Sequence, residues 1–243
     1  MPERTAERTG GLGLLIEDLV LLEEAGRVLL DAPRLAVEPG SAVAVRGPSG
    51  AGKSTLLHVM AGLVRPDRGR VRWTGEGGAD LARLSEEGCA RFRRRSVGLV
   101  LQDAALFEEM DATGNAAVAA AFAPRSERAG IEERAEGWLR RLGLGEALNE
   151  GSRRVPSLSG GERSRVAARA LSGQPAVILA DEPTASLDRA GAGRLAADLA
   201  ALAEGGEDGG RTLVVATHDA DLMARMGRTL TLDSGRVVED SRG

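Results

Sequence analysis

Ser41-Ala-Val-Ala-Val-Arg-Gly-Pro-Ser-Gly-Ala-Gly-Lys-Ser-Thr55 runs from an apolar stretch through a glycine-rich turn into a helical pattern. Ser41–Arg46 is short and apolar at most positions, as expected of a strand buried on both faces. Gly47, Pro48, Ser49, Gly50, Ala51, Gly52, Lys53 and Ser54 match G-x-x-x-x-G-K-[ST] in the strand-to-helix context that the pattern requires. Glycines let backbone amides turn inward on phosphate oxygens, and the N-terminus of the helix predicted over Lys53–Ala61 adds positive potential. Lys53 would reach the β- and γ-phosphates, the Ser54 hydroxyl would sit at a Mg²⁺ ion, and Thr55 would join the nucleotide-binding residues. A glycine-rich turn with an ordinary surface lysine explains the segment less well, because Lys53 is the one lysine among 32 basic residues. A compact ammonium fits between phosphate oxygens where a planar guanidinium does not.

Outward from this segment the chain reads as an α/β protein. Met1–Gly13 is polar and charged and reads as a frayed tail, followed by a domain over 14–243. Strands are expected at Leu14–Val20, Val28–Leu30, Gly69–Trp73 and Val97–Leu101, with an amphipathic helix over Asp80–Arg95 that turns Leu81, Leu84 and Phe92 to one side. From Asp103 to about Leu171 the texture is helical, at Asn115–Phe122, Ile131–Leu142 and Gly161–Leu171. Strands resume at Ala176–Ala180, Thr212–Ala216, Thr229–Leu232 and Arg236–Val238, around a helix at Gly191–Leu202 and a turn at Gly205–Gly210. The expected fold is a P-loop core of mixed or parallel sheet flanked by helices, with an all-helical subdomain at about 103–171 inserted in it.

Composition narrows the function classes. The 243 residues, 42% apolar and 28% charged, suit one globular domain with an insert and exclude a disordered or collagen-like chain. No apolar run approaches the roughly 18 residues of a membrane span, and no early stretch reads as a signal peptide. A soluble, cytoplasmic protein is the expectation. One cysteine, Cys89, allows no internal disulfide. A net charge of −4 and 2% aromatics, none of them Tyr, argue against nucleic acid as a partner.

Two further segments carry chemistry. Ala176–Ala180 (AVILA) is an apolar strand that ends in Asp181 and Glu182. Set beside the first strand, it would bring both carboxylates to the sheet edge where open α/β proteins bind ligands. Neighbouring strand residues point to opposite sides, so Asp181 can hold Mg²⁺ while Glu182 polarises an attacking water as general base. Leu158-Ser159-Gly160-Gly161-Glu162 opens a helix, a second anion-attracting N-terminus.

LSGGE lying between a phosphate loop and an apolar-strand-DE pair resembles the signature motif of ATP-binding cassette (ABC) ATPases. Other elements stand in the family's order: Gln102 where its Q-loop lies, Ser186-Leu187-Asp188 as its D-loop, and His218 in VVATHD as its switch histidine. The resemblance covers Leu14 to Asp240. It implies an ATPase using ATP and Mg²⁺, in which two copies pair head to tail. Ser159 and Gly161, with Gly160 between them, would contact the γ-phosphate bound by the partner copy. Gln102 would sense Mg²⁺ and the lytic water, and His218 would hydrogen-bond the γ-phosphate. The helical insert would dock on separate transmembrane permease subunits, holding the protein peripherally on the inner face of the cell membrane. DLARLSEEGCARFRRRSVGLVLQ is similar to the matching stretch in the lipoprotein-release, macrolide-export and cell-division group. Its Arg91–Arg95 cluster reads as a solvated helix end in preference to a lipid-headgroup patch. His58, on the helix after the phosphate loop, reads as a packing residue.

Two departures from the family pattern stand out. LSGGERSRVAARAL is one residue shorter than the family's signature helix, which would turn the following face by about 100°. The aromatic ring that stacks on adenine is missing, since no Phe, Tyr or Trp precedes Trp73; its position falls near Leu22 or Glu23. An ATPase driving signalling without transport is an alternative that the sequence leaves open. A DNA-maintenance ABC ATPase fits less well, because the 106 positions from Lys53 to Ser159 hold no sustained heptads.

Overall fold

In the computed structural model, which describes residues 10–102, 106–145, 154–167, 171, 173–205 and 210–242, the strands form two sheets. The first is antiparallel. β1 (Gly13–Leu22) pairs with β2 (Val28–Val37) on one side and with β4 (Arg68–Thr74) on the other, and β5 (Ala79–Asp80) completes the order β2-β1-β4-β5. This second sheet was not expected from the sequence. Leu14 and Ile16 of β1 and Val71 and Trp73 of β4 are buried, whereas Leu15, Glu17, Arg70 and Arg72, which alternate with them, are not. That is the alternation of a sheet with one covered face.

The larger sheet holds β3 (Ala42–Arg46), β6 (Val97–Val100), β7 (Val177–Asp181), β8 (Thr212–Ala216), β9 (Arg228–Asp233) and β10 (Arg236–Arg242), in the order β10-β9-β3-β8-β7-β6. All pairs are parallel except β9–β10. Every residue of β7 and β8 is buried, because both faces are covered. Val43, Val45, Leu179 and Val214 pack with Leu56, Leu57 and Met60 of α1 (Lys53–Met60) on one face. Ala44, Ile178 and Val215 turn to the other face and to Leu195 and Leu199 of the later helix Arg189–Glu204. The period of two along each strand sorts its side chains between two cores.

Two sequence expectations change here. β7 is not beside β3; β8 lies between them, because pattern marks these strands as buried but is silent on their order. The single helix expected over Asp80–Arg95 is broken. Asp80 caps a 3₁₀ turn at Leu81–Arg83 by accepting from the Ala82 amide, Leu84 is extended, and Ser85 starts α2 (Glu86–Ser96) by accepting from the Gly88 amide. Two capping side chains five residues apart each favour a new start over continuation.

The helical segment between β6 and β7 contains α3 (Ala112–Ala116), α4 (Val118–Ala121), α5 (Arg125–Arg141) and α6 (Gly160–Ala167). Ala112, Ala116, Ala135, Leu139, Leu144, Val155, Leu158 and Val166 form an apolar cluster of their own, apart from the two that flank the sheet. After β7 come α7 (Arg189–Glu204) and α8 (Ala220–Met223). The expected frayed tail lies mostly, and the shortened stretch after the signature at 168–170 and 172 wholly, outside the described residues, as does most of the turn at 205–210.

Candidate nucleotide site

β3 delivers the chain into the phosphate loop. Gly47 has φ +153°, and a Cβ there would run into the Leu232 carbonyl. Gly52, at φ +98°, is wedged against Leu30 Cδ2 and the Leu29 carbonyl, which would lie 3.0 and 3.2 Å from an added Cβ. Gly47 requires glycine on grounds of space as well as conformation, and Gly52 chiefly on grounds of conformation. Pro48, Ser49 and Gly50 are exposed and Ala51 is buried. α1 begins at Lys53 with no side-chain cap, so its first amides have no intrahelical acceptor and are open to an anion. Lys53 Nζ donates to the carbonyls of Gly47 at 2.9 Å and Pro48 at 3.1 Å, so the ammonium lies folded over the loop. Ser54 and Thr55 follow it, half-buried, on the first turn.

Strand register brings the other candidates to the same edge. Val45 pairs with Ala216, and Ala216 with Asp181, in one row across β3, β8 and β7. Asp181 is buried there. Glu182 leaves the row with φ +44°, its amide still donating to the Ala216 carbonyl at 2.8 Å. Glu182 is therefore itself a left-handed residue just beyond the strand end, where simple alternation was expected. Glu182 Oε2 lies 2.9 Å from His218 Nδ1 and accepts longer bonds, 3.4 Å each, from Thr217 Oγ1 and the His218 amide. The Glu182 side chain is 12% exposed and that of His218 80%, so the pair spans inside and outside. Val100 of β6 pairs with Ala180, and Gln102, two residues on, is exposed at the same edge. Thr217, fully buried, was missed by sequence reasoning; nothing along the chain distinguishes it from other threonines.

The signature segment lies on the helical unit. Ser159 and Glu162 form a reciprocal capping box: the Ser159 amide donates to Glu162 Oε2 at 2.7 Å, and the Glu162 amide to Ser159 Oγ at 3.3 Å. Ser159 and Gly160 face outward, and a Cβ on Gly161 would come 2.8 Å from the Ser186 carbonyl. The signature thus packs on its own chain's D-loop. Asp188 caps α7, its Oδ1 accepting from the Gly191 amide at 2.7 Å. Arg91 pairs with exposed Glu87, and Arg93 donates to the Gly62 carbonyl, in keeping with a solvated helix end. His58 is half-buried on α1. At the position of the missing stacking ring, Leu22 is 40% exposed and Glu23 pairs with Arg27.

The ABC transporter family model matches residues 30–185, and the chain belongs to that family as an ATP-binding cassette ATPase. It is 40% identical over 230 residues to the lipoprotein-releasing system ATP-binding protein LolD of Cereibacter sphaeroides, across 93% of this chain and 98% of that protein. It is 44% identical over 216 residues to the macrolide export ATP-binding/permease protein MacB of Rhodospirillum rubrum, but spans only 31% of that longer protein. Among solved structures, the dimeric post-hydrolysis state of the cassette MJ0796 bound to ADP and Pi superposes with a TM-score of 0.84 at 30% identity, covering 94% of this chain and 98% of that one. Among the described residues no helix is long and apolar enough to cross a membrane.

Proposed function

We propose that this chain is the ATP-hydrolysing subunit of a multi-chain transporter of the lipoprotein-release or macrolide-export type. Two copies pair head to tail and drive separate transmembrane permease subunits at the inner face of the membrane. The observation that carries the reading is the convergence of Gly47–Ser54, Asp181–Glu182, Thr217–His218 and Gln102 on one sheet edge. The loop amides and Lys53 bind phosphate, Lys53 exchanging two neutral carbonyls for charged oxygens, which make stronger bonds. Ser159, Gly160 and Gly161 of one copy complete the γ-phosphate site of the other, with Ser186 and Asp188 alongside. Glu182 takes the proton of the attacking water, and His218, released from Glu182, donates to the γ-phosphate.

The donor set offered by Ser54, Asp181 and Gln102 is all oxygen, which suits Mg²⁺. When bound, the ion would neutralise phosphate charge in the transition state. With aliphatic Leu22 and paired Glu23 in place of a ring, the adenine is held weakly, and selectivity against GTP is low. The helical unit faces the permease: Phe107, Met110 and Phe122 are exposed on it, and the loop bearing Phe107 is braced by buried Asn115, which bonds both its amide and its carbonyl.

Replacing Glu182 with Gln tests the reading. Hydrolysis should fall by about 10²–10⁴-fold while ATP binding persists, so that an ATP-bound dimer accumulates on size-exclusion chromatography with Mg²⁺. A variant that stays monomeric, both alone and with its permease, would count against the head-to-tail site.

A further inference from the structure

We infer that the β9–β10 hairpin turn positions the phosphate loop, with Gly235 and the Arg236–Asp31 pair as its positioning residues; this rests on the ATPase reading above and deepens it. β9 and β10 pair with Asp233 opposite Arg236, leaving Ser234 and Gly235 as a two-residue connection. Both have positive φ, +47° and +79°, as a type I′ hairpin requires.

The turn is bonded on two sides. Its Gly235 amide donates to the Ala51 carbonyl in the phosphate loop at 3.0 Å, and its Gly235 carbonyl accepts from the Asp31 amide of β2 at 2.8 Å. The Arg236 guanidinium, 2.8 Å from Asp31 Oδ2, straps the same junction a second time. Leu232, at the end of β9, puts its carbonyl under Gly47 and its side chain beside Gly52. Both ends of the loop and its middle therefore rest on one hairpin.

This support bears on phosphate binding through peptide geometry. In a planar trans peptide the C=O and the following N–H point in opposite directions. Holding the Ala51 carbonyl down onto Gly235 aims the Gly52 amide away from the hairpin, toward the side on which phosphate binds. A Cβ at 235 would run into the Leu29 carbonyl and lie 3.1 Å from Leu30 Cα, so no other residue keeps this contact without moving the turn.

The test is ADP titration by calorimetry on the full chain; ADP reads the phosphate loop without the γ-phosphate that the partner copy contacts. Gly235→Ala should weaken ADP binding about tenfold and raise KM for ATP more than it lowers kcat, the size expected for one lost, well-aimed hydrogen bond. Arg236→Ala should weaken it roughly two- to fivefold, as befits a partly exposed ion pair, and the exchange of Asp31→Arg with Arg236→Asp should restore it. A purely structural role predicts lower thermal stability with unchanged ADP affinity of the folded protein, and that result overturns the inference. Should Gly235→Ala fail to fold, wild-type affinity in Arg236→Ala is the overturning result. Absence of nucleotide binding in the wild-type chain would sink the ATPase reading and the inference with it; wild-type binding with unaffected variants sinks the inference alone.

Discussion

Lys53 curls over its own loop and bonds the Gly47 and Pro48 carbonyls, so the cation is already seated at the mouth of the phosphate cradle. Two carbonyls at 2.9 and 3.1 Å from one nitrogen suit an ammonium, whose donors radiate from a point. A guanidinium carries its donors in a plane on a bulkier head. Lys53→Arg should therefore nearly abolish phosphate release from ATP despite conserved charge, and near-native turnover would remove the argument. Lys53 was legible in the sequence because its neighbours along the chain define it. The Glu182–His218 contact was not, since 36 positions separate the two residues and only β7–β8 pairing closes the gap.

Elements here are started by side chains that the sequence displays openly. Ser85, Asp111, Asp188 and Asp219 each cap a helix through an oxygen that accepts a backbone amide. The cap at Asp188 coincides with the D-loop, so a carboxylate with a proposed place in the dimer also starts α7. Asp188→Ala should cost about 1 kcal/mol, a fall in melting temperature of about 2–4 °C for a chain of this size. Asp188→Asn keeps an accepting oxygen and should recover most of it. Thermal melts read the cap, and ATPase assays of the Asn variant read the charge. An Ala variant as stable as wild type would show that the Gly191 bond contributes nothing. The broken helix at Asp80–Arg95 shows the limit of such reading: apolar spacing alone suggested one helix, and the caps at Asp80 and Ser85 overrode it.

At the scale of the whole molecule, the helical unit has its own apolar cluster and leaves Phe122 65% and Phe107 47% exposed. On the reading proposed above, the permease covers this part of the surface. Phe122→Glu should leave the ATPase rate of the isolated subunit within about twofold, as expected for a surface change far from the chemistry, yet reduce recovery of the permease when the tagged subunit is purified from membranes. Permease recovered at the wild-type level would exclude Phe122 from that contact.

The sequence by itself determined the features that depend on near neighbours. These are the phosphate loop between strand and helix, the helix start at Ser159-Gly160-Gly161, and the apolar runs that became β7 and β8. Tertiary structure decided which of those runs lie side by side. AVAVR, VILAD and TLVVA are nearly interchangeable in apolar character, and a period of two says which faces are covered without naming the neighbour. Their order, β3-β8-β7, follows from how the intervening helices pack, and the Glu182–His218 pair follows from that order. Gly161 against Ser186, and the β9–β10 turn beneath Ala51, likewise join segments far apart in the chain. Such contacts depend on long chain closures and on the fit of whole layers, which no local pattern of side chains encodes.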